Sequence, residues 1–292
     1  MNKSFTLIEI LVVIVIIGII SGFIIVGMAG VSDKANIAKG QAFAGSLKNS
    51  LMLNLISEWR LDETSGTTAK DYWDSNNGTW DGVAGAYTSP SWRTASECVS
   101  GGCLAFDGTD DYVDCGINDS LKAPNELTIG AWVNLVSYDS HWRGIMATRE
   151  DWGTGIAFWL NQTGNIYFSA AGTHYNFSTV VPLNKWKYLT VTFSLANQEI
   201  ITYMDGVASA PQSRSSALPN FPITRIGIQA VGVYPLGYAQ WNGKIDDVRL
   251  YNVAIPSSKI QENYYSGLNN LFKNKSISRE EYLGNVLGLA IR

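Results

Sequence analysis

Twenty-four consecutive residues near the start of the chain, Phe5 to Met28, read FTLIEILVVIVIIGIISGFIIVGM and contain one charged residue, Glu9. A helix needs about 20 predominantly apolar residues to cross a bilayer, so this run is long enough to span one. No other stretch restricts the fold so strongly, because every backbone group in lipid must be satisfied within the helix itself. An ionised carboxylate inside such a helix costs about 2.5–3.5 kcal/mol on insertion scales. A plain anchor has no use for that cost. Glu9 therefore reads as a functional group that needs a partner.

Two simpler readings compete. A secretory signal peptide has a basic start, a shorter apolar core and a small-x-small cleavage site. Gly27-Met28-Ala29 supplies such a site, but the run is too long and Glu9 lies in it. An uncleaved anchor leaves the acid unexplained. The leader Met1-Asn2-Lys3-Ser4, followed by Phe5-Thr6-Leu7-Ile8-Glu9, resembles the processing site of type IV prepilins and pseudopilins. That resemblance implies a prepilin peptidase that cuts between Ser4 and Phe5 and methylates the new terminus. Glu9 would then pair with the terminal amine of a neighbouring subunit. The family usually has Gly where this chain has Ser4, a departure that bears on cleavage efficiency. The precursor is expected to be a single-pass protein of the cytoplasmic membrane. The mature chain is expected on an extracellular filament or the cell surface.

The helix is expected to continue beyond the membrane. No proline occurs between Asp33 and Ser57, and Ile37, Ala44, Leu47, Leu51 and Leu55 recur at spacings of three, four and seven. That stripe predicts an amphipathic second half, giving one helix over 5–57 with its membrane part at about 5–28. Gly18 and Gly22 are either a soft point in it or close helix-packing positions.

From Glu58 the pattern becomes strand-like. Leu127, Ile129, Ala131 and Val133 alternate with Thr128, Gly130, Trp132 and Asn134, which predicts a half-buried strand. Ile156, Phe158 and Leu160 alternate likewise, as do Leu189, Val191 and Phe193. Asp107-Gly108, Gly164-Asn165, Asp205-Gly206 and Asn242-Gly243 read as turns. Many short strands without intervening helices predict an antiparallel β-sandwich. After Tyr265, Leu268, Leu271 and Phe272 suit a short helix, and Ser278-Arg279-Glu280-Glu281 resembles a capping box opening a second. The fold class is thus mainly β: a leader at 1–4, the long helix, a jelly roll at 58–265 and a helical tail at 266–292.

Six pieces in order narrow the jelly roll further: WRLDETSG from Trp59, LAFDGTDDYV from Leu104, LTIGAWV from Leu127, WKYLTVTF from Trp186, YMDG from Tyr203 and WNGKIDDVRLYN from Trp241. The series resembles laminin G-like, concanavalin A-like domains. Many relatives hold a structural calcium between first and last strands, and Asp62, Asp107 and Asp246 are the best matches here. Ordinary turn chemistry explains the same acids equally well. The adjacent pairs Asp110-Asp111 and Asp246-Asp247 would point to opposite faces of a strand, and no two-carboxylate glycosidase motif is present. A non-enzymatic protein is expected.

Aromatic rings stack on sugars, and Trp142, Trp152, Tyr175, Tyr234, Tyr238 and Trp241 fall in or beside predicted loops, with His141, Arg143 and Arg149 as polar helpers. Packing is the competing explanation, and Trp132 and Trp186 are assigned to it. With two His and three Cys, a zinc site is unsupported, and no basic cluster suggests nucleic acid. Cys98 and Cys103 flank a Gly-rich turn and suit a disulfide, with Cys115 a buried thiol. Pairing of Phe106 with Tyr112 in a hairpin would instead set Cys103 opposite Cys115. The expected partners are the membrane before assembly, copies of this chain or related pilins, the peptidase, and a glycan or surface protein. The functional expectation is a filament subunit displaying a lectin-like adhesive head. The alternatives are a type II secretion pseudopilin and a structural pilin without a dedicated ligand.

Overall fold

The structure, a computed structural model, describes residues 54–80, 90–148, 154–219, 224–229 and 239–290. The leader, Ser4, Phe5, Glu9 and the expected helix up to residue 53 lie outside them. Residues 54–292 form a compact unit of their own.

Among the described residues there are seventeen strands. They are β1 (Leu55–Trp59), β2 (Thr68–Ala69), β3 (Gly78–Thr79), β4 (Ser91–Arg93), β5 (Cys103–Asp107), β6 (Val113–Asp114), β7 (Glu126–Leu135), β8 (Arg143–Ala147) and β9 (Ile156–Leu160). Then follow β10 (Asn165–Ala170), β11 (Thr173–Val180), β12 (Trp186–Ser194), β13 (Glu199–Met204), β14 (Val207–Ala208), β15 (Gln212–Ser213), β16 (Arg225–Ile226) and β17 (Asn242–Tyr251). Two helices close the unit, α1 (Ser257–Lys273) and α2 (Arg279–Ala290). One sheet runs β14-β13-β12-β7-β17-β5-β4, with β1 on β17 and β15 on β13. The other runs β11-β10-β9-β8-β16-β6-β3-β2. Between them lies the core, built from Trp59, Leu104, Ile129, Phe158, Phe168, Phe193, Trp241 and Ile245 among others.

Five expectations need correction. The predicted helix overruns the domain start: Leu55 to Ser57 belong to β1, where pairing with β17 overrides the helical spacing. At the other end α1 begins at Ser257, well inside the span expected for the jelly roll. Asn242-Gly243 is not a turn but the start of β17. Gly is needed there because a Cβ on Gly243 would lie 2.0 Å from the Asn134 carbonyl oxygen of the adjoining strand. Phe106 and Tyr112 do not form a hairpin, since β5 pairs with β4 and β17 while β6 joins the opposite sheet. The chain crosses between sheets at Gly108, so Cys103 and Cys115 are not cross-strand neighbours.

Finally, β7 is buried on both faces. Its inner residues enter the core, and its outer ones lie under α1. The indole of Trp132 stacks on Tyr264 of α1 at 5.6 Å, and Thr128 Oγ1 donates to Val253 O at 2.7 Å. The helix spaces Ile260, Tyr264, Gly267, Leu268 and Leu271 along one buried stripe. Helix α2 is capped as the sequence suggests, with Glu281 N donating to Ser278 Oγ at 3.1 Å.

Candidate functional site

The face of the second sheet that points away from the core carries an aromatic strip. Alternation along β9 sends Ile156, Phe158 and Leu160 inward, so Ala157 and Trp159 stand on the outer face. Register places Gly144, Trp159, Tyr167 and Asn176 in one cross-strand row, and Ala147, Ala157, Ser169 and His174 in the next. Trp142, just before β8, completes the strip. Its ring lies 5.5 Å from that of Trp159, which stacks on Tyr167 at 4.5 Å and meets His174 edge-on at 6.0 Å. Trp159 is only 4% exposed and forms the floor, while Trp142 and Tyr167 are half-buried and His174 and Asn176 are exposed.

A short polar chain fixes this floor. Trp159 Nε1 donates to Ser169 Oγ at 2.8 Å, and the same hydroxyl lies 2.6 Å from His174 Nδ1. Indole nitrogen only donates, so the serine accepts there and its own hydrogen is free for Nδ1. The tautomer this network favours carries its proton on Nε2. Asp139 holds the loop before β8: its carboxylate accepts from His141 N at 2.9 Å and pairs with Arg143. Arg143 is buried and also donates to Gln240 O at 2.9 Å. The strip therefore offers flat apolar rings beside oriented donors and acceptors, the combination that suits a polyhydroxylated ring with one apolar face.

Of the aromatic candidates read from the sequence, Trp142 belongs to this strip. Tyr175 and Trp241 do not, because both sit in the core between the sheets, 8% and 0% exposed. Tyr175 places its hydroxyl 3.2 Å from Arg214 Nη1. Trp152, Tyr234, Tyr238 and Arg149 lie outside the described residues. Sequence reading missed Trp159, Tyr167 and His174 as members. The signal was present, since the alternation at 156, 158 and 160 already sends Trp159 to the other face.

The acidic candidates separate into two groups. Asp107 clusters with Asp110 and Asp111, their ligand atoms within 4.8 Å of one another. Hydrogen bonds within the turn run from Asp107 N to Asp111 Oδ2 at 2.8 Å and from Thr109 N to Asp107 Oδ1 at 2.7 Å. Asp246 is elsewhere. Asp107 faces Asn242 across the β5–β17 ladder, and Asp246 lies four residues further along, about 13 Å at strand rise. One ion cannot bridge all three acids proposed from the sequence.

Asp62 and Asp246 do come together, on the loop closed by a Cys98–Cys103 disulfide with Cα atoms 5.5 Å apart. Cys115 is a buried free thiol. A bulge between Asp246 and Arg249 inserts one residue relative to β7, with Asp247 in the left-handed region at φ 50°. The charge of Asp247 is still felt at Asp246. Burial, and then the charge of Asp247, push the Asp246 carboxyl well above its ordinary range. Burial also raises Asp62. Asp246 Oδ1 is buried with no hydrogen-bond partner. An orphaned, fully buried carboxylate oxygen next to a second acid fits a hard oxygen-seeking cation.

Two antiparallel sheets with this outer strip define a lectin-like jelly roll. Residues 107–261 match the model of the concanavalin A-like lectin/glucanases superfamily, more than half of the chain, and the chain belongs to that superfamily. Residues 1–25 match the prokaryotic N-terminal methylation motif, the type IV pilin signature. No curated protein matches the sequence. Among solved structures, the chain is similar to Trypanosoma rangeli sialidase in complex with a difluorinated KDN (TM-score 0.56, 15% identity, 73% of this chain and 32% of that one). It is also similar to domain 4 of an extracellular arabinanase from Geobacillus stearothermophilus in complex with arabinotriose (0.55, 14%, 72% and 97%). A third is the binding domain of botulinum neurotoxin serotype D (0.55, 11%, 76% and 53%). The match spans about a third of the sialidase, and likeness at this identity concerns the fold.

Proposed function

We propose that the chain is a subunit of a type IV pilus-like filament whose jelly-roll head binds carbohydrate on another surface. The observation that carries the reading is the Trp142–Trp159–Tyr167 strip with its Ser169–His174 polar edge, set on the outer face of a rigid sheet. Rings with one apolar face stack there, and the histidine and Asn176 reach their hydroxyls. The pilin motif supports the remainder: a membrane-anchored precursor, a prepilin peptidase and a filament of pilin copies outside the cell. The sugar complexes among the similar structures favour a glycan over a protein as the ligand. The head acts by binding, without catalysis. Asp62 and Asp246 hold a structural calcium that ties the β1 end to β17, and its role is to hold the fold.

A glycan array probed with the fragment starting at Asn54 tests the reading. Binding that vanishes in a Trp142→Ala variant supports it. Silence on the array and in a cell-binding assay, with filaments composed mainly of this subunit, would leave a structural pilin instead.

A further inference from the structure

The segment from Cys98 to Cys103 is a six-residue ring closed by the disulfide. Three of its backbone amides are directed at two carboxylates. Val99 N and Ser100 N donate to Asp246 Oδ2 at 2.8 and 3.1 Å, and Gly102 N donates to Asp62 Oδ1 at 2.8 Å. The acids come from opposite ends of the domain, one just after β1 and the other in β17. The ring is braced from outside as well, since Asn274 Nδ2, between α1 and α2, donates to Cys98 O at 2.8 Å. Little slack remains at Gly101, where a Cβ would fall 1.9 Å from Asp62 Oδ1.

Charge counting shows what the amides leave undone. Four carboxylates gather here: Glu58, Asp62, Asp246 and Asp247. Two guanidinium groups accompany them. Arg60 bonds Glu58 at 2.8 Å, and Arg249 bonds Glu58 at 2.8 Å and Asp247 at 3.4 Å. With all four carboxylates ionised, as cation binding requires, four negative charges against two positive leave a deficit of two. Amide hydrogens stabilise a carboxylate's orientation and bring no net charge, so the deficit stays with the two acids on the ring. Asp246 is 0% exposed and its Oδ1 has no hydrogen-bond partner. A group of net charge +2 that accepts oxygen ligands removes both defects together.

We propose that the disulfide ring is the template of this cation site. By anchoring Oδ2 of Asp246 and Oδ1 of Asp62 with its amides, it leaves their remaining oxygens for one hard divalent cation. The inference rests on the calcium reading above and adds that affinity depends on the closed ring. Coupling between oxidation and metal binding follows, because a chain whose thiols have not yet joined holds the two acids loosely. Export into an oxidising compartment would close the ring and complete the site.

The test uses the full chain in detergent, titrated calorimetrically with calcium and melted in calcium or in chelator. The wild-type chain should bind one calcium and melt higher with it. A Cys98→Ser, Cys103→Ser double variant should lose at least tenfold in affinity and most of the calcium-dependent rise in melting temperature. Gly101→Ala keeps the disulfide but displaces Asp62, and it should lose calcium likewise. Asp107→Asn should bind as the wild type does. Absence of any calcium response in the wild-type chain would remove the underlying cation reading. A wild-type response that both ring variants retain in full would overturn the ring's role alone. Loss of binding in Asp107→Asn with the ring variants unaffected would move the ion to the other acidic group and overturn it too. Should the double variant fail to fold, Gly101→Ala decides the matter.

Discussion

Replacing Gly267 with Ala sets a local effect against a tertiary one. By helix propensity alone the change stabilises an α-helix by about 1 kcal/mol. In this structure the new methyl would lie 2.4 Å from Nε1 and 2.5 Å from two carbons of the Trp132 indole. That ring cannot yield. It is 1% exposed, held between Tyr188 at 5.5 Å and Tyr264 at 5.6 Å, on a strand paired from both sides. Helix α1 must therefore lift by about 1 Å to reach ordinary contact, and such a gap forfeits a quarter or more of the local dispersion energy. Ile260, Tyr264, Leu268 and Leu271 are all nearly fully buried beneath it. At roughly 1.5–3 kcal/mol of burial each, a quarter of the sum is about 1.5–3 kcal/mol. The net effect is a loss of about 0.5–2 kcal/mol, or roughly 1–8 °C in melting temperature for a unit of this size. Circular dichroism melts of the fragment from Asn54 measure it. Gly284→Ala in α2, where a Cβ meets nothing within 4 Å, is the control and should raise stability by propensity alone. An unchanged or raised melting temperature for Gly267→Ala would refute the packing of α1 on β7.

Trp142→Ala removes one half-exposed ring face, about 100 Å² of contact with a bound sugar, worth about 2–3 kcal/mol or a 30–150-fold weaker Kd. A melting temperature near wild type together with an unaltered Kd on the same glycan would exclude this ring from the site. Burial by itself would raise the Glu58 carboxyl, but the charges and hydrogen bonds of Arg249 and Arg60 outweigh it and hold the group below its ordinary value of 4.5. That contribution is present above about pH 4.5 and lost as pH falls through the depressed folded value. Glu58→Gln should flatten this part of the acid unfolding curve, and an identical acid limb in both proteins would contradict the assignment. Mass spectrometry of the mature chain should find a methylated N-terminus at Phe5, and Glu9→Ala should impair assembly while the head still folds. A start at Met1 or near Gly30 would end the prepilin reading.

The sequence alone determined the features that depend on local order. The apolar run with Glu9 behind a short leader is read one residue after another, so the pilin motif was legible without any fold. The same holds for the alternating strands, the Asp205-Gly206 turn and the Ser278 cap, which depend on neighbours a few positions apart. The tertiary structure decided what depends on partners far along the chain. Leu55 continues a helical spacing yet pairs with Tyr251 in β1, because a strand 196 residues later offers a ladder. Trp132 reads as a packing residue, but alternation puts it on the face away from the core, and only the fold shows that α1 is what covers it. Tyr175 and Trp241 look like loop aromatics and end in the core, while Trp159, flanked by core residues in sequence, becomes the floor of the outer strip. Asp62 and Asp246 meet, and Asp107 does not, because strand register fixes a separation that spacing in sequence does not contain. Alternation tells which residues share a face, but only the pairing of distant strands determines what that face meets.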